Sequence, residues 1–497
     1  MLKEALWRAE EIIDRCGVAD IIEELLPKMG RRRQLRVRTL LVGIFLAISD
    51  DRPGHLTRVH DALVALGEAE RRRLEVEVVS KRGTHLLTYR QVEHTFWLIK
   101  SALSKERPDG EPSEALKDTV DRLLEASIPH CYKDSSRSLA LDWSDHETFS
   151  CPPLSDRGSC ADLEASWGHR RGGPTKGELF FGYYFSAATM VKDEQGDPVP
   201  ELVRRMKLSS CHVDPASAFI SVFERMVKAG MALGDVLVDS GYAHRRAENF
   251  ALPLRLLGAE LVMDLHPHDR GPHGTYKGAV LNNGSLYCPS TPVQLLGLGP
   301  LSRDSTKDER ALHDEKSAEL ECYRLGRITT PDEDGFFRVS CPASQGKVRC
   351  PKKPSSMQLS YDRPEVITPP VELQACCRQN TITVSPDVNA KTSQKHAYPS
   401  AAHRESFSRR TAVERSYSTL KDPASTDVTR GWCRVMGLAA ITVFLACAVA
   451  VRNTRITVSF EQRATDNAKR KAAGLPPKRR RRRRRAISDL VGSGRSA

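Results

Sequence analysis

Residues 435–451 constrain the fold more than any other stretch. These 17 residues, bounded by Arg434 and Arg452, carry no charge. As a helix the run is apolar on every side, so it has no polar stripe to give to water and must be covered all round. It sits at the short limit for a membrane span, and Gly437, Thr442, Cys447 and several alanines dilute it. The expectation is a buried helix inside a soluble protein, with no membrane partner. A chain of 497 residues has ample core for this, enough for roughly two to four domains.

Charge is unevenly spread. The formal net charge is +13, and residues 463–485 contribute +11 of it through twelve Lys or Arg and one Asp. Lys478 and Arg479 to Arg485 form eight consecutive cations. Such a block repels itself, so residues 463–497 are expected to be a disordered basic tail that binds DNA nonspecifically and salt-sensitively. The hydrophobic share of 40% is that of a globular protein. Thirteen scattered cysteines and a start rich in charge, Met1-Leu2-Lys3-Glu4-Ala5-Leu6-Trp7, lead us to expect reduced thiols, no secretory signal and a cytoplasmic location.

Three stretches carry candidate chemistry. In Phe407-Ser408-Arg409-Arg410-Thr411-Ala412-Val413-Glu414, Arg410 and Glu414 are four apart and share a helix face, with Lys421 two turns further along it. Asp142 ends the apolar run Leu139-Ala140-Leu141, and Asp239 ends Val236-Leu237-Val238. Both read as buried strands with an acid at the tip, where open α/β sheets gather their chemistry. Two strand-end aspartates and a helix glutamate make a set that can bind two divalent ions, roughly 4 Å apart, for phosphoryl transfer. Asp145 and Glu147 rival Asp142 but follow the expected strand; Asp235 rivals Asp239 but precedes its strand.

These residues resemble the bacterial insertion-sequence transposases of the DDE type whose signature is Tyr-x2-Arg-x3-Glu-x6-Lys. Arg410, Glu414 and Lys421 match that spacing, with Phe407 at the tyrosine position. Val238-Asp239-Ser240-Gly241-Tyr242 matches the block around the family's second aspartate, and Leu141-Asp142-Trp143-Ser144-Asp145 matches the first more loosely. The resemblance covers roughly residues 138–265 and 400–455. It implies an RNase H-like catalytic core interrupted by a mainly β insertion. It further implies end cleavage and strand transfer with two Mg2+ ions, which Mn2+ can replace, on Asp142, Asp239 and Glu414. Arg410, Lys421 and Phe407 then contact DNA, Phe407 by stacking because it lacks the hydroxyl. The implied partners are double-stranded DNA and a second copy in a synaptic dimer, with the protein associated with the nucleoid. An RNase H-like nuclease without strand transfer and an inactive or domesticated DNA-binding protein are the alternatives.

The rest of the chain is read around this core. Residues 1–130 are expected to form a helical domain that binds DNA ends, with helices near 35–48, 59–66 and 89–103. Its basic clusters, Arg31-Arg32-Arg33 with Arg36 and Arg38, Arg71-Arg72-Arg73, and Lys81-Arg82, serve equally well as phosphate contacts or as solvated helix ends. Residues 135–265 form the first part of the core: a hairpin over 179–185 and 187–191, a helix over 216–229, a strand over 236–238, a helix over 244–257 broken at Pro253, and a strand over 260–263. Residues 170–177 form a basic, glycine-rich loop near the expected site. Residues 266–400 form the insertion, with strands near 279–281, 320–323, 336–339 and 358–359, and residues 401–460 complete the core. Cys288, Cys322, Cys341, Cys350, Cys376 and Cys377 lack the paired spacing of zinc ligands and are expected to be free thiols. Asp264, His266, His268, Asp269 and His273 surround Pro267 in an expected irregular loop, so no metal site is assigned there.

Overall fold

The computed structural model describes residues 2–29, 33–51, 53–80, 83–104, 112–153, 158–170, 177–302, 304–422 and 425–478. Arg31-Arg32, Lys81-Arg82, most of the 170–177 loop and the tail from Arg479 onward lie outside them. The protein is mixed α/β with a helical N-terminal region. That region contains α1 (Leu2–Cys16), α2 (Val18–Leu25), α3 (Val37–Ser49), α4 (Leu56–Val64), α5 (Glu68–Arg73), the hairpin β1 (Glu77–Ser80) and β2 (Gly83–Leu86), α6 (Tyr89–Leu103), α7 (Glu114–Ala126) and α8 (His130–Lys133). Thr88 starts α6 through a reciprocal cap with Gln91. The hairpin is an addition to the all-helical expectation.

The described arginines of the basic clusters are all ion-paired. Arg33 pairs with Glu23, Arg36 with Glu75 (2.8 Å), Arg38 with Asp14 (2.6 Å), Arg71 with Glu77 (3.5 Å), Arg72 with Glu68 and Arg73 with Glu10. They hold the helical region together at its surface, and phosphates would have to compete for them.

The central sheet contains β3 (Leu139–Glu147), β4 (Ser166–His169), β5 (Leu179–Met190), β6 (Val203–Ser210), β7 (Asp235–Val238) and β8 (Glu260–Met263). β5 pairs antiparallel with β3 on one side. On its other side it pairs with β4 along its first part and with β6 along the rest. β3 pairs parallel with β7, and β7 parallel with β8. Between them run α9 (Pro215–Lys228), α10 (Ser240–Ala243) and α11 (Ala251–Leu256).

Several expectations change. The 179–191 stretch is one 12-residue strand, not a hairpin, because no turn residue interrupts it; its partner is β6, which has no clear alternation to announce it. Asp142 is not at a strand end: β3 continues to Glu147, so Asp145 and Glu147 also lie within the strand. Pro253 does not break its helix, because it falls in the first turn of α11, where an N–H has no helical partner to lose. The break lies instead at 244–250, occupied by a 3-10 turn.

The insertion is mixed rather than mainly β. It holds β9 (Pro272–Tyr276), β10 (Ala279–Asn282), β11 (Ser285–Tyr287), α12 (Val293–Leu296), α13 (Lys307–Cys322), β12 (Gly326–Arg327), β13 (Phe337–Ser340), α14 (Ala375–Arg378) and β14 (Thr381–Val384). Its strands form two three-stranded antiparallel sheets. The strand expected at 320–323 is the end of α13, a 16-residue helix started by a reciprocal cap between Thr306 and Glu309. The strand expected at 358–359 is the end of a 3-10 turn.

The chain returns through α15 (Ala401–Ser408), α16 (Thr411–Leu420) and α17 (Leu438–Ala472). α17 contains most of the uncharged run and packs against α3, α6, α7, α16 and β6. Among the described residues it is the one helix long and apolar enough to cross a membrane, and 83% of its apolar window is buried inside the protein. Two polar residues at the end of the run fix its register. Asn453, fully buried, exchanges hydrogen bonds with the backbone of Val203 (2.9 Å each way) and donates to Ser127. Arg452 donates to Glu201 O, Thr419 Oγ1 and Ser416 Oγ, tying α17 to α16. α17 continues nine residues past Arg463, where the tail was expected to begin, because Ala, Arg and Lys favour helix even without an apolar face.

Candidate active site

Strand alternation and register bring the two aspartates together. Ala140 and Leu237 contribute to the core beneath α16 and α17, whereas Leu139, Leu141, Val236 and Val238 contribute to the opposite core beneath α9 and α11. With a period of two, Asp142 and Asp239 both fall on the α16 face. The parallel register sets Leu139 against Val236 and Ala140 against Leu237, which places Asp142 level with Asp239. β7 ends there while β3 runs on against β5, so the two carboxylates stand where the sheet opens. Asp145 and Glu147 have the other parity.

α16 closes the site. Its Tyr417 hydroxyl shares its one proton between the carbonyl oxygens of Asp142 and Phe185, each 2.8 Å away, which fixes the helix over β3 and β5. Sequence reasoning passed over Tyr417; its spacing of three from Glu414 and seven from Arg410 is the signal that puts it on their face. Arg410 sits at the N-cap position of α16, and Glu414 lies in the first turn, where an acid suits the helix dipole. The Arg410 guanidinium bridges all three acids: 2.5 Å to Glu414, 3.1 Å to Asp142 and 3.6 Å to Asp239. Asp142, Asp239, Glu414 and Arg410 line one cleft of about 900 Å3, together with Asp145, Arg170, His244, His266 and Tyr417.

The electrostatics are strained. The Asp142 side chain is only 17% exposed. Burial first, and the neighbouring Asp239 carboxylate second, push its pKa up from 3.8 to about 7 against the pull of Arg410. Asp239 accepts a hydrogen bond from the Gly241 N–H at 2.9 Å. The glycine is required by close approach, since a Cβ there would stand 3.0 Å from both the Asp239 carboxylate and the Trp143 ring. Tyr242, fully buried, packs edge-on against Trp143 at 4.4 Å.

The remaining sequence candidates lie at the margin. Lys421 is bonded to β3 through Ser144 Oγ (2.9 Å), Asp145 O (2.9 Å) and Asp145 Oδ1 (3.0 Å). Burial raises the Asp145 pKa, but Lys421 outweighs it and holds this carboxyl below its usual range. Phe407 belongs to α15, stacks on His403 at 5.6 Å and lies 5.9 Å from the Arg410 guanidinium; the helix expected through 407–421 is interrupted at Arg409. Neither Lys421 nor Phe407 lines the cleft. Asp235 has a separate role: buried at the start of β7, it accepts from Arg409 and Lys395, each at 2.7 Å. The acids of the 264–273 loop are also engaged, Asp264 by Tyr398 and Asp269 by Lys391.

A set of three carboxylates supplies the hard oxygen ligands that suit a divalent ion. Among the described residues no three donors are set as a ready metal shell. The positive charge among the acids is that of Arg410, whose Nε is buried without a partner. No family model matches this sequence, and no curated protein matches it.

Proposed function

We propose that the protein is a DNA transposase of the DDE type, cleaving the ends of an insertion sequence and joining them to target DNA. The observation that carries this is the in-register pairing of Asp142 and Asp239 on one sheet face, beneath a helix that brings Glu414 and Arg410 to the same cleft. The strand arrangement, β6, β5 and β3 antiparallel with β7 and β8 following parallel to β3 and the short β4 added beside β5, supports an RNase H-like core, and the insertion falls between the second and third acids.

Asp142, Asp239 and Glu414 are the residues that would hold Mg2+. The bound ions supply Lewis acidity and charge neutralisation for phosphoryl transfer. Arg410 presents a planar fork to a scissile phosphate, exchanging one anionic partner for another. Water attacks the phosphodiester first and frees a 3′-hydroxyl; that hydroxyl then attacks a phosphodiester of the target. The protein acts on double-stranded DNA of the nucleoid as a synaptic dimer.

The test is a paired assay on a labelled duplex carrying the element end, with Mg2+ or Mn2+. Transposition predicts nicking followed by joined products, and a 3′-dideoxy end abolishes joining only. Nicking without joined products under all conditions indicates a nuclease and refutes strand transfer.

A further inference from the structure

The insertion gathers cysteines that are far apart in sequence. Cys288 follows β11, Cys341 follows β13, Cys350 lies in the next loop, and Cys377 is in α14. All four line one small cavity of about 20 Å3, with Lys352 and Lys353 on its wall. That is room for one water or one ion. A water needs two to four polar partners, whereas this wall is largely sulfur and carbon.

We propose that Cys288, Cys341, Cys350 and Cys377 form a structural tetrathiolate zinc site that staples the insertion. Four sulfurs around one small cavity fit tetrahedral Zn2+ by ligand type and number. The two lysines balance the net charge of −2 that four thiolates leave on a divalent ion.

The thiols are gathered but not closed, since no three donors among the described residues stand as a ready shell; the proposal requires the four side chains to close on the ion. The need is also clear, because this lobe's two clusters hold only ten and seven buried apolar residues. A core of that size gains from a metal clip.

The test is zinc content of the full chain, purified reduced and without chelator. The expected result is about one zinc per chain in the wild type. It is retained by Cys322→Ser, whose thiol bonds within α13 to Ala318 O, away from the cavity. It is also retained by Asp142→Ala, which separates this site from the carboxylates, and is lost in Cys341→Ser/Cys350→Ser. Because that double variant can fail to fold, the wild type is also reconstituted with Co2+, where the intense near-ultraviolet thiolate-to-cobalt band is expected. Zinc retained by the double variant, a disulfide among these four cysteines, or a wild type that is zinc-free and gives no cobalt band would each overturn the proposal.

Discussion

Asp142→Asn should stabilise the protein at pH 8 and only about a third as much at pH 5. Unfolded, this carboxyl titrates near 3.8; folded, it titrates near 7. The folded protein therefore keeps a proton that the unfolded chain has lost. The stability it contributes is full below pH 4 and disappears as pH rises through 7. At ~1.4 kcal/mol per unit, that displacement sets a ceiling of about 4 kcal/mol at pH 8. The side chain retains 17% exposure and Arg410 stands 3.1 Å away. Both lower the cost of the charged form, so a gain of about 1–2 kcal/mol is expected for the neutral amide. The assay is urea unfolding of both proteins at pH 5 and pH 8, with and without Mg2+. The variant midpoint should exceed that of the wild type at both pH values, by about three times as much at pH 8 as at pH 5, and Mg2+ should raise the wild type more than the variant. A variant that is weaker at pH 8, or equal at both pH values, would show that the acids are not in mutual repulsion and would remove the physical reason for a cation among them.

Other substitutions separate scaffold from site. Asp235→Ala leaves Arg409 buried with its 2.7 Å partner gone and should cost about 3 kcal/mol in urea unfolding, whereas Asp239→Ala should cost little stability and all nicking. Asn453→Ala strands both backbone polar groups of Val203 and should lower stability by about 2 kcal/mol; an unchanged midpoint would refute its clamping role. Gly241→Ala puts a methyl 3.0 Å from Asp239 and Trp143 and should reduce nicking at least tenfold, which corresponds to about 1.4 kcal/mol, with near-wild-type unfolding; full activity would show that Asp239 need not be held so tightly.

What was legible in the sequence follows from how local each signal is. The buried run at 435–451 and the acid-tipped run before Asp239 announce themselves because burial on every side leaves no polar residue to confuse the pattern. The strand-tip position expected for Asp142 does not hold, because β3 runs on past it, and what sets it beside Asp239 is the register of a parallel pair, a nonlocal property. β6 was invisible because Arg204, Arg205 and Lys207 interrupt its apolar residues, yet both arginines are buried. The cysteine cavity was missed for the same reason as the register, since its members are brought together only by the fold of two small sheets. The spacing of Arg410 and Glu414 was readable because a helix makes residues four apart neighbours, but it could not reveal that Arg410 would join three acids or that Lys421 would be tied to β3.

The central claim is that Asp142, Asp239 and Glu414 form one metal-dependent phosphoryl-transfer site. The most direct measurement is Mg2+-dependent nicking of the labelled element-end duplex by the wild type and by Asp142→Ala, Asp239→Ala, Glu414→Ala and Asp145→Ala, with DNA binding measured in parallel. The account predicts that the first three variants bind DNA but do not nick, while Asp145→Ala still nicks. Nicking that survives Asp142→Ala but is lost in Asp145→Ala, or a wild type that binds yet never nicks with either Mg2+ or Mn2+, would contradict it.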